Sequence, residues 1–84
     1  MKNSYYNAAK FYEAQSKYDL AIEFYEKSNT YLKEVPRMLL EANKLKELTE
    51  YIESKQEKKL YTWLGQYNES VGNINEAIRL YELG

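Results

Sequence analysis

Residues 5–28 read YYNAAKFYEAQSKYDLAIEFYEKS, and this stretch decides the fold. Apolar side chains recur in it at intervals of three and four residues: Tyr5, Ala8, Ala9 and Tyr12, then Tyr18, Ala21, Ile22 and Tyr25. Such spacing places one apolar stripe along each of two helices. The break near Ser16 is short, so the two helices are expected to pack antiparallel as a helical hairpin.

The same pattern returns at the other end of the chain, where residues 61–84 read YTWLGQYNESVGNINEAIRLYELG. A shift of 56 residues brings the two stretches into register: Tyr5 on Tyr61, Glu13 on Glu69, Ala21-Ile22 on Ala77-Ile78, and Tyr25-Glu26 on Tyr81-Glu82. Most matches fall on the apolar faces, where the packing of a repeat requires them. The sequence therefore predicts two copies of one helical hairpin.

Weaker stripes lie between the two copies: Met38, Leu39 and Ala42, then Leu45, Leu48, Tyr51 and Ile52. Pro36 suits the first turn of a third helix, where its missing N–H costs nothing, which leaves 30–35 as a connector. Ser54 and Glu57 have the spacing of a capping box and predict the start of another helix. The expected fold is all-α, with about six helices in stacked antiparallel hairpins at about 3–30, 36–55 and 57–84.

Composition excludes several classes of protein. The 84 residues contain no Cys and no His, which removes the commonest nucleophile–base pairs and the commonest metal ligands. The 13 acidic side chains lie beside lysines at ordinary helix positions, and no glycine-rich phosphate loop or calcium-loop spacing occurs. We therefore expect no enzyme activity, no catalytic residue, no cofactor and no metal.

Charge and hydropathy limit the kinds of partner. The 12 basic residues against 13 acidic ones give a net charge of −1, which disfavours binding to nucleic acid. No apolar run approaches the roughly 20 residues that span a bilayer, so direct membrane insertion is not expected. No signal-peptide pattern follows the first residue, and a cytoplasmic location is predicted.

Each outer hairpin resembles the tetratricopeptide repeat, in which a small residue lies where two helices approach closely and an aromatic residue follows. These positions carry Ala9, Tyr12, Ala21 and Tyr25 in the first copy, and Gly65, Ala77 and Tyr81 in the second. The resemblance implies a fragment of an α-solenoid. Neither end of the pattern has a polar cap, so we expect the chain to be a segment of a longer array.

Three stretches are more specific than this general pattern. They are YEKS at 25–28, EVPRML at 34–39 and WLGQYNES at 63–70. Together they resemble the helical-repeat region of the intraflagellar transport protein 140 family. That resemblance implies a non-enzymatic scaffold segment of a subunit of the intraflagellar transport A complex, acting in protein–protein assembly for retrograde transport and ciliary membrane-protein cargo.

The resemblance also implies partners and a location. The partners would be other A-complex subunits and neighbouring repeats of the parent chain, and the location would be the cilium, at its axoneme and basal body. One alternative is a stand-alone tetratricopeptide-type module that binds short peptides. A second alternative is a designed or purely structural bundle with no partner, which the uneven hairpin lengths disfavour.

A candidate protein-contact face follows from the resemblance, because the first helix of each tetratricopeptide hairpin lines a groove. Carried over by position, that face comprises Tyr6, Lys10, Glu13, Thr62, Gln66 and Glu69. Its charges are mixed, and it has no cluster of basic residues to clamp a peptide carboxylate. Trp63, the single tryptophan, joins the face as a candidate interface anchor, although core packing competes.

The ten tyrosines require a separate interpretation. Six of them fall on the repeat stripes and are predicted to pack in the core: Tyr5, Tyr12, Tyr18, Tyr25, Tyr61 and Tyr81. Tyr6 and Tyr31 fall off the stripes and are candidates for exposed contacts. An uncovered end of the repeat, including Ile78 and Tyr81, predicts self-association of the isolated segment.

Overall fold

The computed structural model describes residues 2–84, with side chains described from Ser4 onward. Six α-helices and no strand occur over these residues, which confirms the predicted all-α class. The helices are α1 (Lys2–Ala14), α2 (Tyr18–Lys27), α3 (Tyr31–Glu41), α4 (Leu45–Lys55), α5 (Lys58–Ser70) and α6 (Ile74–Leu83). The chain divides into two compact units, one ending at Leu48 and the other covering Thr49–Gly84.

The first unit is built on the hairpin of α1 and α2, and α3 packs on α2. The hairpin is antiparallel, because Lys27 at the end of α2 lies over the ring of Tyr5 at the start of α1, 5.8 Å from its centroid. The buried apolar side chains of this unit are Ala9, Ala21, Tyr25, Val35, Met38, Leu39 and Leu48. The small residues Ala9 and Ala21 are both fully buried between the helices, as the repeat pattern requires.

The second unit contains the hairpin of α5 and α6. Its buried apolar side chains are Ile52, Leu60, Leu64, Ala77 and Leu80. Both helices begin and end 56 residues after α1 and α2, so the internal repeat is confirmed to the residue in the helix bounds. The connecting turns also match, since the N–H of Lys17 donates to the carbonyl of Tyr12 (2.9 Å) and that of Asn73 donates to the carbonyl of Asn68 (2.8 Å).

The turns after the first five helices each use one residue with a left-handed backbone. These residues are Ser16, Asn29, Asn43, Gln56 and Gly72, with φ between 56° and 85°. Glycine adopts this conformation without steric cost, whereas other L-residues are disfavoured there. Gly72 follows the end of α5 and Asn43 follows the end of α3, each in this left-handed conformation.

Pro36 is not at the start of its helix, and the sequence prediction was wrong on this point. The helix α3 begins at Tyr31, and Pro36 lies inside it and is buried. The carbonyl of Thr30 accepts the N–H groups of Lys33 (3.3 Å) and Glu34 (3.0 Å), which shows that the first turn is already formed before the proline. Burial of Val35, Met38 and Leu39 on one face supports the longer helix against the lost hydrogen bond.

The predicted capping box is also absent. Ser54 remains inside α4, where its hydroxyl donates back to the carbonyl of Tyr51 at 2.7 Å. Glu57 instead precedes the first residue of α5, in an extended conformation and without a capping side-chain bond. Because Ser54 lies inside α4 and Glu57 takes the N-cap position of α5, neither side chain is placed to form the reciprocal bonds of a capping box.

The tyrosines on the repeat stripes differ widely in their burial, although their spacing predicts that all of them pack in the core. Tyr25 is completely buried, and Tyr12 is half-buried with its ring stacked on Phe24, 5.6 Å between centroids. Tyr5 and Tyr81 were predicted to pack in the core, but 41% and 38% of their surfaces remain exposed. A hairpin of two helices covers only one side of such a ring, so repeat position alone does not bury it.

Candidate protein-contact site

Arg37 on α3 is the centre of an ionic network in the first unit. Its Nη1 and Nη2 donate to the two carboxylate oxygens of Glu13 on α1, at 3.1 and 2.9 Å. Its Nε donates to Oε1 of Glu34 at 3.0 Å, and Nη1 also reaches Glu41 at 3.1 Å. A guanidinium that engages two carboxylates through its fork fixes the direction of approach between helices.

Glu34 is the most enclosed acid of this network, with 10% of its side chain exposed. The hydroxyl of Tyr6 donates to Oε2 of Glu34 at 3.3 Å, and Nζ of Lys10 lies 3.9 Å from Oε1. Each contact joins α1 to α3. Since an unpaired buried carboxylate would be costly, the tyrosine, lysine and arginine together make this position tolerable.

Tyr25 completes the network from α2. Its hydroxyl donates to Oε1 of Glu13 at 2.5 Å and lies 3.4 Å from Nη2 of Arg37. The hydrogen bond from Arg37 holds the pKa of Glu13 below its usual value of 4.5, with burial acting in the opposite direction. Burial first, and then the bond to Glu13, raises the pKa of Tyr25 above its usual value. The lowered pKa favours the ionised form of Glu13, which pairs with Arg37, and the network joins three helices.

The structure brings Tyr6, Lys10 and Glu13 together, as expected for three residues on one face of α1. Their polar atoms are directed to Glu34 and Arg37 of α3 and to Tyr25 of α2. The ring of Tyr6 also meets Tyr25 edge-on, 6.0 Å between centroids. This part of the predicted face is therefore engaged by neighbouring helices of its own unit.

The α5 part of the predicted face is less engaged. Thr62 and Trp63 are half-buried, whereas Gln66 and Glu69 are exposed. Trp63 stacks on Tyr67 one turn later, with 6.1 Å between ring centroids and an interplanar angle of 4°. The two rings are parallel and lie side by side along α5, and both residues are half-buried.

Glu69 repeats part of the Glu13 arrangement. The hydroxyl of Tyr81 donates to its Oε1 at 2.6 Å, as Tyr25 donates to Glu13 at 2.5 Å. This bond raises the pKa of Tyr81. The Tyr81 ring fits over Gly65, where an added Cβ would lie 2.7 Å from Cε1 of the ring. Close approach of the ring therefore explains why glycine replaces the alanine of the first copy.

Sequence reasoning missed Arg37 and Glu34 as members of this site. Both lie in the stretch EVPRML, and their three-residue separation places them on one face of a helix. The signal was hidden because residues 30–35 were expected to be a connector. With the helix beginning at Tyr31, the face that carries both residues turns toward Glu13.

Two further kinds of feature, a metal-ligand cluster and a membrane-spanning helix, do not occur in the described residues. No group of three potential ligands among them could hold a metal ion. None of the helices in the described residues has the length and apolar character needed to cross a membrane.

Paired helices with buried small residues at the crossings, repeated at a fixed interval, define a helical-repeat protein of the tetratricopeptide class. That class comprises non-catalytic scaffolds that bind other proteins. The comparison with known families makes the assignment narrower: the chain belongs to the family described as the tetratricopeptide-repeat domain of intraflagellar transport proteins 140 and 172, which matches residues 1–84. The protein is thus a scaffold module of the intraflagellar transport kind, and its family name associates it with cilia.

Proposed function

We propose that the chain is a non-enzymatic scaffold segment of an A-complex subunit, and that it helps to assemble that complex for retrograde transport and for carriage of ciliary membrane-protein cargo. Its partners would be other A-complex subunits and neighbouring repeats of the parent protein, in the cytoplasm, the axoneme and the basal body. The family match over residues 1–84 carries this proposal.

The ionic network favours a scaffold over a stand-alone peptide-binding module. A peptide groove needs polar side chains that are free to receive a ligand, and basic ones to clamp a carboxylate. The polar atoms of Tyr6, Lys10 and Glu13 are instead directed to α2 and α3. A face held in this way stiffens the repeat and suits a segment that keeps its neighbours at fixed positions.

We place the protein contacts of this scaffold on the predicted face, whose α5 part is the more accessible. Thr62, Trp63 and Gln66 follow one another along α5, with the flat Trp63–Tyr67 pair beside them. Aromatic side chains that are partly open to solvent are common anchors of protein interfaces. The α1 part would act through its effect on the position of α3.

The test uses the purified chain and recombinant A-complex subunits. A triple variant, T62A with W63A and Q66A, removes the accessible contact residues from α5. A matched control, K46A with E50A and E53A, removes three exposed polar side chains from α4. We expect the parent chain and the control to co-purify with A-complex subunits and the α5 variant to lose at least about tenfold in affinity, since a few central residues carry most interface energy.

Circular dichroism first shows that each variant retains its helices. Equal binding by the α5 variant and the control would remove the contacts from α5. Absence of binding by the parent chain to any A-complex subunit, together with binding to a short peptide that is lost in a Y6F, K10A and Q66A variant, would support the peptide-binding module instead.

A further inference from the structure

The two hairpins have matching positions but unequal exposure. Tyr25 is completely buried in the first copy, whereas its counterpart Tyr81 is 38% exposed. Ile22 is half-buried, whereas its counterpart Ile78 is 52% exposed. The helix bounds agree to the residue, so the difference lies in what covers the face rather than in how the hairpin folds.

The cover in the first unit is α3. It packs on α2. Nη2 of Arg37 on α3 donates to Oε1 of Glu13 at 2.9 Å and lies 3.4 Å from the hydroxyl of Tyr25. Val35, Met38 and Leu39 of the same helix are buried. In the first unit, therefore, a glutamate and a tyrosine on the hairpin are covered by a helix that carries an arginine among aliphatic residues.

The second copy presents the same pair without that partner. The Tyr81 hydroxyl donates to Glu69 at 2.6 Å, and no arginine or lysine among the described residues forms an ion pair with Glu69. One tyrosine bond leaves acceptor sites on the carboxylate for a guanidinium, which binds best in a forked geometry. The exposed faces of Ile78 and Tyr81 add apolar surface beside it.

We propose that the α5–α6 hairpin is a docking face for an amphipathic helix that carries an arginine, with Glu69 and Tyr81 receiving the guanidinium and Ile78 packing against aliphatic neighbours of that arginine. The proposal deepens the scaffold function, on which it rests, by stating the chemistry of one partner. It assigns that partner to the part of the predicted face that contains Glu69, next to the accessible contact residues Thr62, Trp63 and Gln66.

The second copy differs from the first in a way that sets specificity. Thr62 replaces Tyr6 and Gln66 replaces Lys10, so the two groups that hold Glu34 in the first unit are missing. A docking helix therefore needs the arginine but gains little from a glutamate three residues before it. Loss of that glutamate would weaken α3 on its own hairpin and leave the new contact almost unchanged.

The repeat register supplies the probe. Gly84 corresponds to Ser28, so a copy of residues 29–44 fused directly after Gly84 places a second arginine at the same chain distance from Tyr81 as Arg37 is from Tyr25. Four extended proteins are compared: the parent fusion, E69Q, the fusion with the copied arginine changed to methionine, and both changes together. The matched control is E82Q, which changes a neighbouring exposed glutamate on α6.

We expect the fused segment to add helix by circular dichroism and to raise resistance to urea. In the fusion, E69Q should raise the equilibrium constant for unfolding by roughly tenfold, in the range of a charge-assisted hydrogen bond. The methionine change should have the same effect, and the double variant should lose little more, as expected for two partners of one contact. Without the fusion, E69Q should change this constant by less than about twofold, since its bond to Tyr81 is exposed.

Several outcomes would overturn the proposal. These are a fused segment that stays unfolded, additive effects of the two changes, or an effect of E82Q equal to that of E69Q. A dimer of the unextended chain that E69Q dissociates would assign the face to a second copy of this chain. None of these results depends on A-complex subunits, so failure here is distinguishable from failure of the proposed scaffold function.

Discussion

The guanidinium of Arg37 and the carboxylate of Glu13 form a forked pair, with both Glu13 oxygens within 3.1 Å of an Nη atom. The pair joins α1 to α3, two helices that are separated in the chain by all of α2. About a third of the arginine side chain and a fifth of the glutamate side chain remain exposed. Its main consequence is that the first hairpin and the helix after it form one unit with a fixed geometry.

Changing Arg37 tests how much this pair stabilises the first unit. We expect R37Q to lower the free energy of unfolding by about 2 kcal/mol, because Glu13 and the enclosed Glu34 both lose a charged donor. R37K should recover only part of the loss, since an ammonium group cannot form the fork. Urea unfolding followed by circular dichroism measures the change.

The control for this comparison is R79Q. Arg79 pairs with Glu76 three residues before it, as Arg37 pairs with Glu34, but about half of the Arg79 side chain is exposed. Its removal should have a much smaller effect than R37Q. Equal losses in the two variants would mean that the network has no special importance.

Stability in acid should depend on Glu13. Its pKa is lowered in the folded chain by the hydrogen bond from Arg37, so the folded state binds fewer protons than the unfolded state near that pKa. The stabilisation is therefore present above about pH 4.5 and is lost as the pH falls below it. The urea midpoint measured across this range should fall more steeply for the parent chain than for E13Q. A parallel decline in both would show that other groups cause the acid sensitivity.

Tyr25 should be among the last tyrosines to ionise in base. Burial and the bond to Glu13 raise its pKa, so its contribution to stability is complete below pH 10 and is lost as the pH rises past the folded-state pKa. Ultraviolet titration of the phenolate groups should show a late component that is smaller in Y25F than in the parent chain. Y81F is the matched control, because the pKa of Tyr81 is also raised by a bond to a glutamate, but in an exposed position. A late component in Y25F as large as that of the parent chain would contradict this assignment.

The left-handed turn residues offer a stability change without altered contacts. Gln56 has φ of 56°, where a residue with a Cβ is disfavoured. Q56G should therefore stabilise the chain by roughly 0.5–1 kcal/mol, the steric relief minus the extra entropy of glycine. The reverse change, G72Q in the left-handed turn after α5, should destabilise the chain by a comparable amount. Thermal unfolding measures both, and a destabilising Q56G would show that Gln56 makes contacts that glycine cannot replace.

Local patterns predicted the repeat well, because its determinants lie within single helices and hairpins. Ala9 and Ala21 identified the close crossing, and the register between Tyr25 and Tyr81 located the second copy. The start of α3 was missed because Pro36 has a strong local preference for a first turn, and burial of Val35 and Met38 outweighed it. Side-chain pairs between distant helices, such as Arg37 with Glu13, depend on packing that no periodicity specifies.

Hydrogen–deuterium exchange of the chain, alone and with purified A-complex subunits, tests the central claim most directly. The account predicts slower exchange along α5 when the complex is present, with α4 unchanged as an internal control. It also predicts that the T62A, W63A and Q66A variant loses this protection. Unchanged exchange along α5 in the presence of every A-complex subunit would contradict the claim that this segment is an assembly surface.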